Sequence, residues 1–249
     1  MKISIITPSF NQGQFIEQNI ESVLNQNYPD VEHIVIDGGS TDGTLAVLEK
    51  YSHLKWISER DKGQADALNK GLALSTGNII GWINSDDYYE SNVFNLVISQ
   101  FSDPDVQWVV GDLTMLYETK NSQVAQVSPI VSYAKLIDNP DIVRQQCTFF
   151  RKKAIVDAGS WNPDLYMVMD FDLWIRLAKK SAPVMLSHNL AYFRLHDDQK
   201  TSNRNLLRQC HEITGILKRE KAAHRYVVKL QCKKYWQWFK RSIKNIMGL

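Results

Sequence analysis

The stretch "NIIGWINSDDYYE", residues 78–90, decides the fold. Its apolar run, Ile79–Ile83, has the length of a buried strand and stops abruptly at Asn84, Ser85, Asp86 and Asp87. Both neighbouring segments, Gln64–Leu74 and Asn92–Phe101, repeat apolar residues at helical spacing. A strand between two helices is the unit of an α/β sheet. Working back towards the N-terminus, the same alternation predicts strands at Lys2–Thr7, Glu32–Asp37 and Lys55–Ser58, with helices at Gln14–Asn25 and Thr44–Tyr51 between them. Repeated βα units imply a mostly parallel sheet covered by helices on both faces. Ligands of such sheets bind outside the carboxyl ends of the strands. That rule gathers Pro8–Asn11, Asp37–Thr44 and Asn84–Tyr88 into one place.

Beyond a strand at Gln107–Gly111 the pattern loosens. Leu113–Glu118 and Val124–Val127 fit a hairpin. Further strands are expected at Thr148–Arg151, Val184–Ser187 and Ala191–Leu195, and helices at Lys152–Ala158 and Asp170–Lys179. Residues from Asn203 to about Met247 read as one or two long helices outside the main domain. The expected division is therefore 1–202, with halves 1–111 and 112–202, followed by an extension at 203–249.

At 249 residues, 44% apolar and 22% charged, the chain is long and apolar enough to bury a core and is not of disordered composition. No apolar run approaches the about 20 residues that span a bilayer, and the N-terminus carries no secretory cleavage signature, so a cytoplasmic chain is expected. The three cysteines are far apart and form no CxxC pair, which argues against a disulfide framework and a zinc site. The net charge of +2 conceals an asymmetry: residues 204–249 hold 12 Lys+Arg against 2 Asp+Glu, and the remainder holds 17 against 25. A basic tail suggests anionic surfaces or partners.

Five constellations carry chemistry. Asp86 and Asp87 repel each other unless a cation lies near, and hard oxygen ligands suit Mg²⁺ or Mn²⁺ beside substrate phosphates; a solvated turn with a helix cap is the plainer reading. "VIDGGSTDGT", residues 35–44, offers Asp37 as an acceptor and glycines for close backbone approach, or is an ordinary strand–turn–helix corner. "SERDKGQADALNKG", residues 58–71, places basic groups where a diphosphate could sit, or forms a solvated helix face. In "MVMDFDLWIRLAKK", residues 167–180, one of Asp170 and Asp172 can cap the helix and the other can act as a general base if burial tunes it. His196, in "YFRLHDDQKTS", residues 192–202, follows a strand; such a histidine is usually structural, but beside a carboxylate-bound metal it can be a ligand.

Together, "ITPSFNQGQFIEQNIESVLNQNYPDVEHIVIDGGSTDGT", "DKGQADALNKGLALSTGNIIGWINSDD" and "MDFDLWIRL" resemble the family 2 glycosyltransferases, inverting enzymes of GT-A fold, in the manner of those that build bacterial polysaccharides. The resemblance covers about Lys2–Ser202. It implies an α/β GT-A fold and a nucleotide-sugar donor, with Mn²⁺ or Mg²⁺ as cofactor. Thr7, Pro8, Phe10 and Asn11 would line the nucleotide pocket, with Phe10 against the base, and Asp37 would contact the nucleoside. Asp61, Asp66, Asn69 and Lys70 would border the donor sugar and diphosphate. Ser85, Asp86 and Asp87 occupy the DxD-type position, with Asp87 expected on the metal and Asp86 nearer the ribose or sugar. Asp170 matches the catalytic base, and His196 a late histidine at the metal or diphosphate. Val143–Ile155 resembles the acceptor-side segment, which assigns Gln146, together with Trp161, to the acceptor.

The chain departs from the family pattern at Gly38, Asn84 and Met169. Gly38 stands where many members have a second, uracil-reading Asp, which weakens the choice of UDP; a UDP-sugar donor is expected, with GDP and dTDP left open. Asn84 shortens the acidic motif, and Met169 replaces the acid before the base. The acceptor is expected to be a saccharide or lipid-linked saccharide. Trp161, Tyr88 and Tyr89 can stack on sugars, though aromatic packing is the commoner use. The tail "KKYWQWFKRSIKNIMGL", residues 233–249, suits an interfacial helix on an anionic membrane, or a helix packed on the domain or a second subunit. No nucleic-acid module is recognisable. The rivals are a nucleotidyltransferase, for which Pro8–Gln14 offers just Gly13, and a non-catalytic sugar-nucleotide or polysaccharide-binding module.

Overall fold

The structure is a computed structural model and describes residues 1–117, 122–196, 199–200 and 205–222. Strands β1 (Ile3–Ser9), β2 (Val31–Asp37), β3 (Lys55–Ser58) and β4 (Ile79–Trp82) form the expected parallel half, in the order β3-β2-β1-β4. Helices α1 (Ile16–Leu24), α2 (Thr44–Leu48) and α3 (Gln64–Leu74) make the crossovers. β4 then pairs antiparallel with β8 (Thr148–Arg151), and β8 pairs antiparallel with β6 (Trp108–Tyr117). β6 runs parallel to β9 (Val184–Leu195), whose other edge takes β5 (Tyr88–Tyr89), while β7 (Ser122–Gln126) pairs with the far end of β6. The remaining helices are α4 (Val93–Gln100), α5 (Tyr133–Asp138), α6 (Lys152–Asp157), α7 (Met169–Ala178) and α8 (Leu206–Arg219).

Neighbouring residues on a strand point to opposite faces, and both faces of this sheet are dry. Ile6, Ile80, Val110 and Phe150 join one core, with α3, α7 and α8. Their chain neighbours Ile5, Ile79, Val109 and Phe149 join the other, with Phe94, Val97 and Phe101 around α4. That is why the strands read as continuous apolar runs. α3 lies close on β1 because Gly71 faces it: a Cβ there would stand 2.4 Å from Ile6 Cγ2.

Three expectations change. The two strands expected at Gln107–Gly111 and Leu113–Glu118 are one, β6. Its pairing with β9 is irregular around Asp112, and the carboxylate of Asp112 accepts the Ser128 N–H at 2.7 Å. The irregularity resets the apolar phase, so the sequence shows two short runs. β9 likewise fuses two expected strands, because Ser187 and His188 in its middle are exposed. Finally, α8 does not stand outside the main domain. Ile213, Ile216 and Leu217 are buried in the same core as Ile6 and Trp174. The tail helix expected at residues 233–249 lies outside the described residues. Among the described residues, no helix is long and apolar enough to cross a membrane.

Candidate active site

The carboxyl ends of β1 and β4 open into a cleft of about 570 Å³. Beyond β4 the chain turns through Asn84–Asp87, closed by the Asp87 N–H donating to the Asn84 carbonyl at 3.0 Å. The buried side chain of Asn19, on α1, donates to both the Asn84 and Asp87 carbonyls at 2.9 Å. Ser85 is 3.3 Å from the Pro8 carbonyl, which joins the ends of β1 and β4. This bracing makes the two carboxylates unlike. Asp87 is 1% exposed, accepting from Gln146 Nε2 at 2.8 Å and from the Arg194 N–H at 3.0 Å. Burial, with the neighbouring Asp86 charge, pushes its carboxyl well above the usual range. Asp86 lines the cleft, with His196 Nε2 3.2 Å from its Oδ2. Of the pair, Asp86 lines the cleft, while Asp87, expected on the metal, is bonded to Gln146 and to β9. His196 is held 4.6 Å from the Phe15 ring.

Pro8 and Phe10 lie on the cleft wall, and the Phe10 ring is 59% exposed. Thr7 does not reach the cleft; it is fully buried and bonded to His33 Nε2 at 2.9 Å and Asn19 at 3.2 Å. Asp37 is also withdrawn. Its carboxylate accepts the N–H groups of Gly39 and Ser40 and the hydroxyls of Ser40 and Ser58, so it shapes the loop after β2 from within. Asn11 ties the same loop, accepting from the Thr41 N–H at 2.9 Å. Gly38 faces Asp61 and Phe10; a Cβ there would sit 3.0 Å from Asp61 Oδ2, so its lack of a side chain keeps that corner open.

Asp61 lines the cleft and accepts the Gly63 N–H at 2.8 Å. The other three residues of that segment do not line the cleft. Lys70 pairs with Glu59 at 2.6 Å and Asp66 at 3.6 Å. Asn69 exchanges two hydrogen bonds with the backbone of Trp161. Trp161 itself is 1% exposed and packs edge-on against Trp82, so it is core and not a sugar platform. Gln146 does line the cleft, but its amide is engaged with Asp87.

A second wall is built by α7. Asp170, in its first turn, lines the cleft and accepts the Phe171 N–H at 2.7 Å. Crowding by protein atoms pushes its carboxyl up to about 6, against the smaller opposing pull of that hydrogen bond. Asp172 takes no part in the cleft; it is 1% exposed and grips Arg176 and Arg219. Several wall residues were not singled out from the sequence. Gln64 donates to the Asn84 side chain at 2.7 Å and accepts from Lys200 at 2.9 Å. Burial lowers the Lys200 ammonium to about 8, and its Nζ lies 4.2 Å from the Tyr166 ring centroid. Gln64 and Lys200 sit inside motifs the sequence displays, but nothing in their spacing marks them. Gln209 and Ile213 show that α8 also walls the cleft.

No set of three or more His, Cys, Asp or Glu side chains converges on a metal position among the described residues. Asp86 and His196 nevertheless fit a hard divalent cation shared with a substrate, since Mg²⁺ is commonly held by one or two carboxylates plus phosphate oxygens and water.

Among solved structures, TarS of S. aureus in complex with UDP superposes with a TM-score of 0.68 at 19% identity, covering 87% of this chain and 64% of that one. The mannosyltransferase PcManGT from Pyrobaculum calidifontis, in complex with GDP-Man and Mn²⁺, gives 0.64 at 16% identity, covering 94% and 69%. These likenesses establish the GT-A fold. The chondroitin synthase of Escherichia coli is 26% identical over 216 residues, 82% of this chain but 30% of that protein's length. The sequence model described as "Glycosyl transferase family 2" matches residues 4–156, which run from β1 through the Asp86 loop to α6. The chain belongs to glycosyl transferase family 2.

Proposed function

We propose that the chain is an inverting glycosyltransferase of polysaccharide synthesis. It moves a sugar from a nucleoside diphosphate donor, expected to be a UDP-sugar, to a hydroxyl of a saccharide or lipid-linked saccharide. Asp170 carries the reading: a carboxyl on the cleft wall, with its pKa raised to about 6 by burial, is suited to take a proton near neutral pH. The acceptor hydroxyl gives its proton to the Asp170 carboxylate as its oxygen bonds to the anomeric carbon. The bond from that carbon to the diphosphate oxygen breaks in the same step, and the nucleoside diphosphate leaves with the electron pair. One displacement inverts the anomeric centre. Phe10, exposed at the cleft mouth, offers a face to the base. Asp86 and His196 would hold the cation, which when bound neutralises charge gathering on the leaving diphosphate. The UDP of TarS and the GDP-Man and Mn²⁺ of PcManGT support a donor and cation of this kind.

Asp170→Asn tests the assignment. Transfer should fall about 10²–10⁴-fold, while donor affinity measured by calorimetry is kept. In the wild type the rate should drop as the pH falls below about 6, because the base must be unprotonated to act. Near-wild-type turnover by the variant would overturn the role of Asp170. A panel of UDP-, GDP- and dTDP-sugars read by thermal shift with Mn²⁺ identifies the nucleotide.

A further inference from the structure

We propose that Glu212, on α8, is a positioning residue for Asp170; the inference rests on the base role just given. Its carboxylate is 9% exposed and accepts three consecutive backbone N–H groups: Tyr166 at 3.1 Å, Met167 at 2.8 Å and Val168 at 3.3 Å. Those residues form the last stretch of chain before α7, whose second residue is Asp170. Three donors on one anion fix the direction from which the chain enters the helix. A negative charge at that end also suits the helix dipole. Arg208 Nε, one turn earlier on α8, donates to Glu212 at 3.0 Å and holds the carboxylate in place.

The same contact orders the cleft wall. Tyr166 lines the cleft, and the cationic groups of Lys200 and Arg208 each lie 4.2 Å from its ring centroid. At its other end α8 sends Arg219 to Asp172, 2.6 Å away, two residues beyond the base. α8 therefore grips α7 on both sides of Asp170. Glu212 itself has no place on the reacting atoms, so its effect is expected on the chemical step and not on donor binding.

Glu212→Gln in the full chain is the test. The amide turns an N–H donor towards backbone donors and loosens the loop. At saturating donor, kcat should fall about 10–100-fold, the scale of a small misplacement of a reacting group. Donor affinity and binding stoichiometry by calorimetry should be unchanged, and the amides of residues 166–168 should exchange faster with solvent. A wild-type kcat from a variant with deprotected amides overturns the proposal, as does rapid exchange of the Met167 amide in the wild type. If Glu212→Gln does not fold, Glu212→Asp carries the same readouts, with a smaller fall in kcat expected and a wild-type kcat again overturning it. Asp170→Asn separates the two readings. An active Asp170→Asn chain sinks the base, whereas an inactive one beside a fully active Glu212→Gln chain sinks this inference alone.

Discussion

At the residue scale, the neighbours Asp86 and Asp87 show how burial divides two identical side chains. Asp86→Asn should leave the melting temperature unchanged and abolish the gain in donor affinity that Mn²⁺ brings. Asp87→Ala strands Gln146 Nε2 and the Arg194 N–H, at about 1–3 kcal/mol per buried group. That predicts a lower melting temperature, by about 2–4 °C per kcal/mol for a chain of this size. Asp87→Asn, whose single amide oxygen can still accept one of the two donors, should be milder than Asp87→Ala. Calorimetry with and without Mn²⁺, beside thermal melts, separates the pair; a stable Asp87→Ala chain with lost Mn²⁺ response would restore the opposite order. The sequence places both carboxylates at a strand end but carries no sign of which one turns inward. That choice is made by Gln146 and β9, which lie about 60 and 107 residues further along the chain.

At the scale of elements, the parallel half was legible because each strand is buried on both faces and each helix carries one apolar stripe. β5 was not, because two residues are too short to display a period. β6 and β9 were read in pieces because their mutual irregularity interrupts the alternation on both strands. A polar tie at the opposite end of the sheet was also hidden in an ordinary-looking strand. Glu32 on β2, 7% exposed, accepts from Ser4 Oγ on β1 and from the Thr76 and Gly77 N–H groups before β4, and pairs with Lys55 and Lys2. Burial alone would raise its carboxyl, but the hydrogen bonds from Lys55, Ser4 and Thr76 outweigh it and hold the pKa well below 4.5. A lowered folded-state value means stability that is present above the unfolded value and lost as the pH falls below about 4.5. His33, beside it on β2, adds to this. Burial lowers its pKa from 6.5 to about 3, so stability is further lost as the pH falls from 6.5 through that window. Urea midpoints should therefore decline on acidification below pH 6.5 and more steeply below 4.5. Glu32→Gln should be less stable at pH 7 and should flatten the lower part of the curve; an unchanged acid slope would exclude Glu32 as its source.

At the scale of the whole molecule, the segment after residue 202 is not an appendage where it is described. Three aliphatic side chains of α8 sit in the core, and burial of each is worth about 1.5–3 kcal/mol, together comparable with the whole stability of a domain. A chain ending at residue 205 should fail to melt cooperatively, whereas one ending at residue 222 should keep both fold and donor binding. The second chain is thus the proper partner for testing membrane contact by the basic tail. Full-length protein should float with vesicles containing anionic lipid and the chain ending at 222 should not; equal flotation would argue against the tail. The place of α8 in the core has a consequence for synthesis as well. Everything that α8 covers leaves the ribosome before α8 does. A nascent chain therefore carries an uncovered apolar trench over Trp174 and its neighbours until almost all of the described residues are made. Its exposure to chaperones and to aggregation lasts until α8 has emerged, and the chain ending at residue 205 is a permanent copy of that stage.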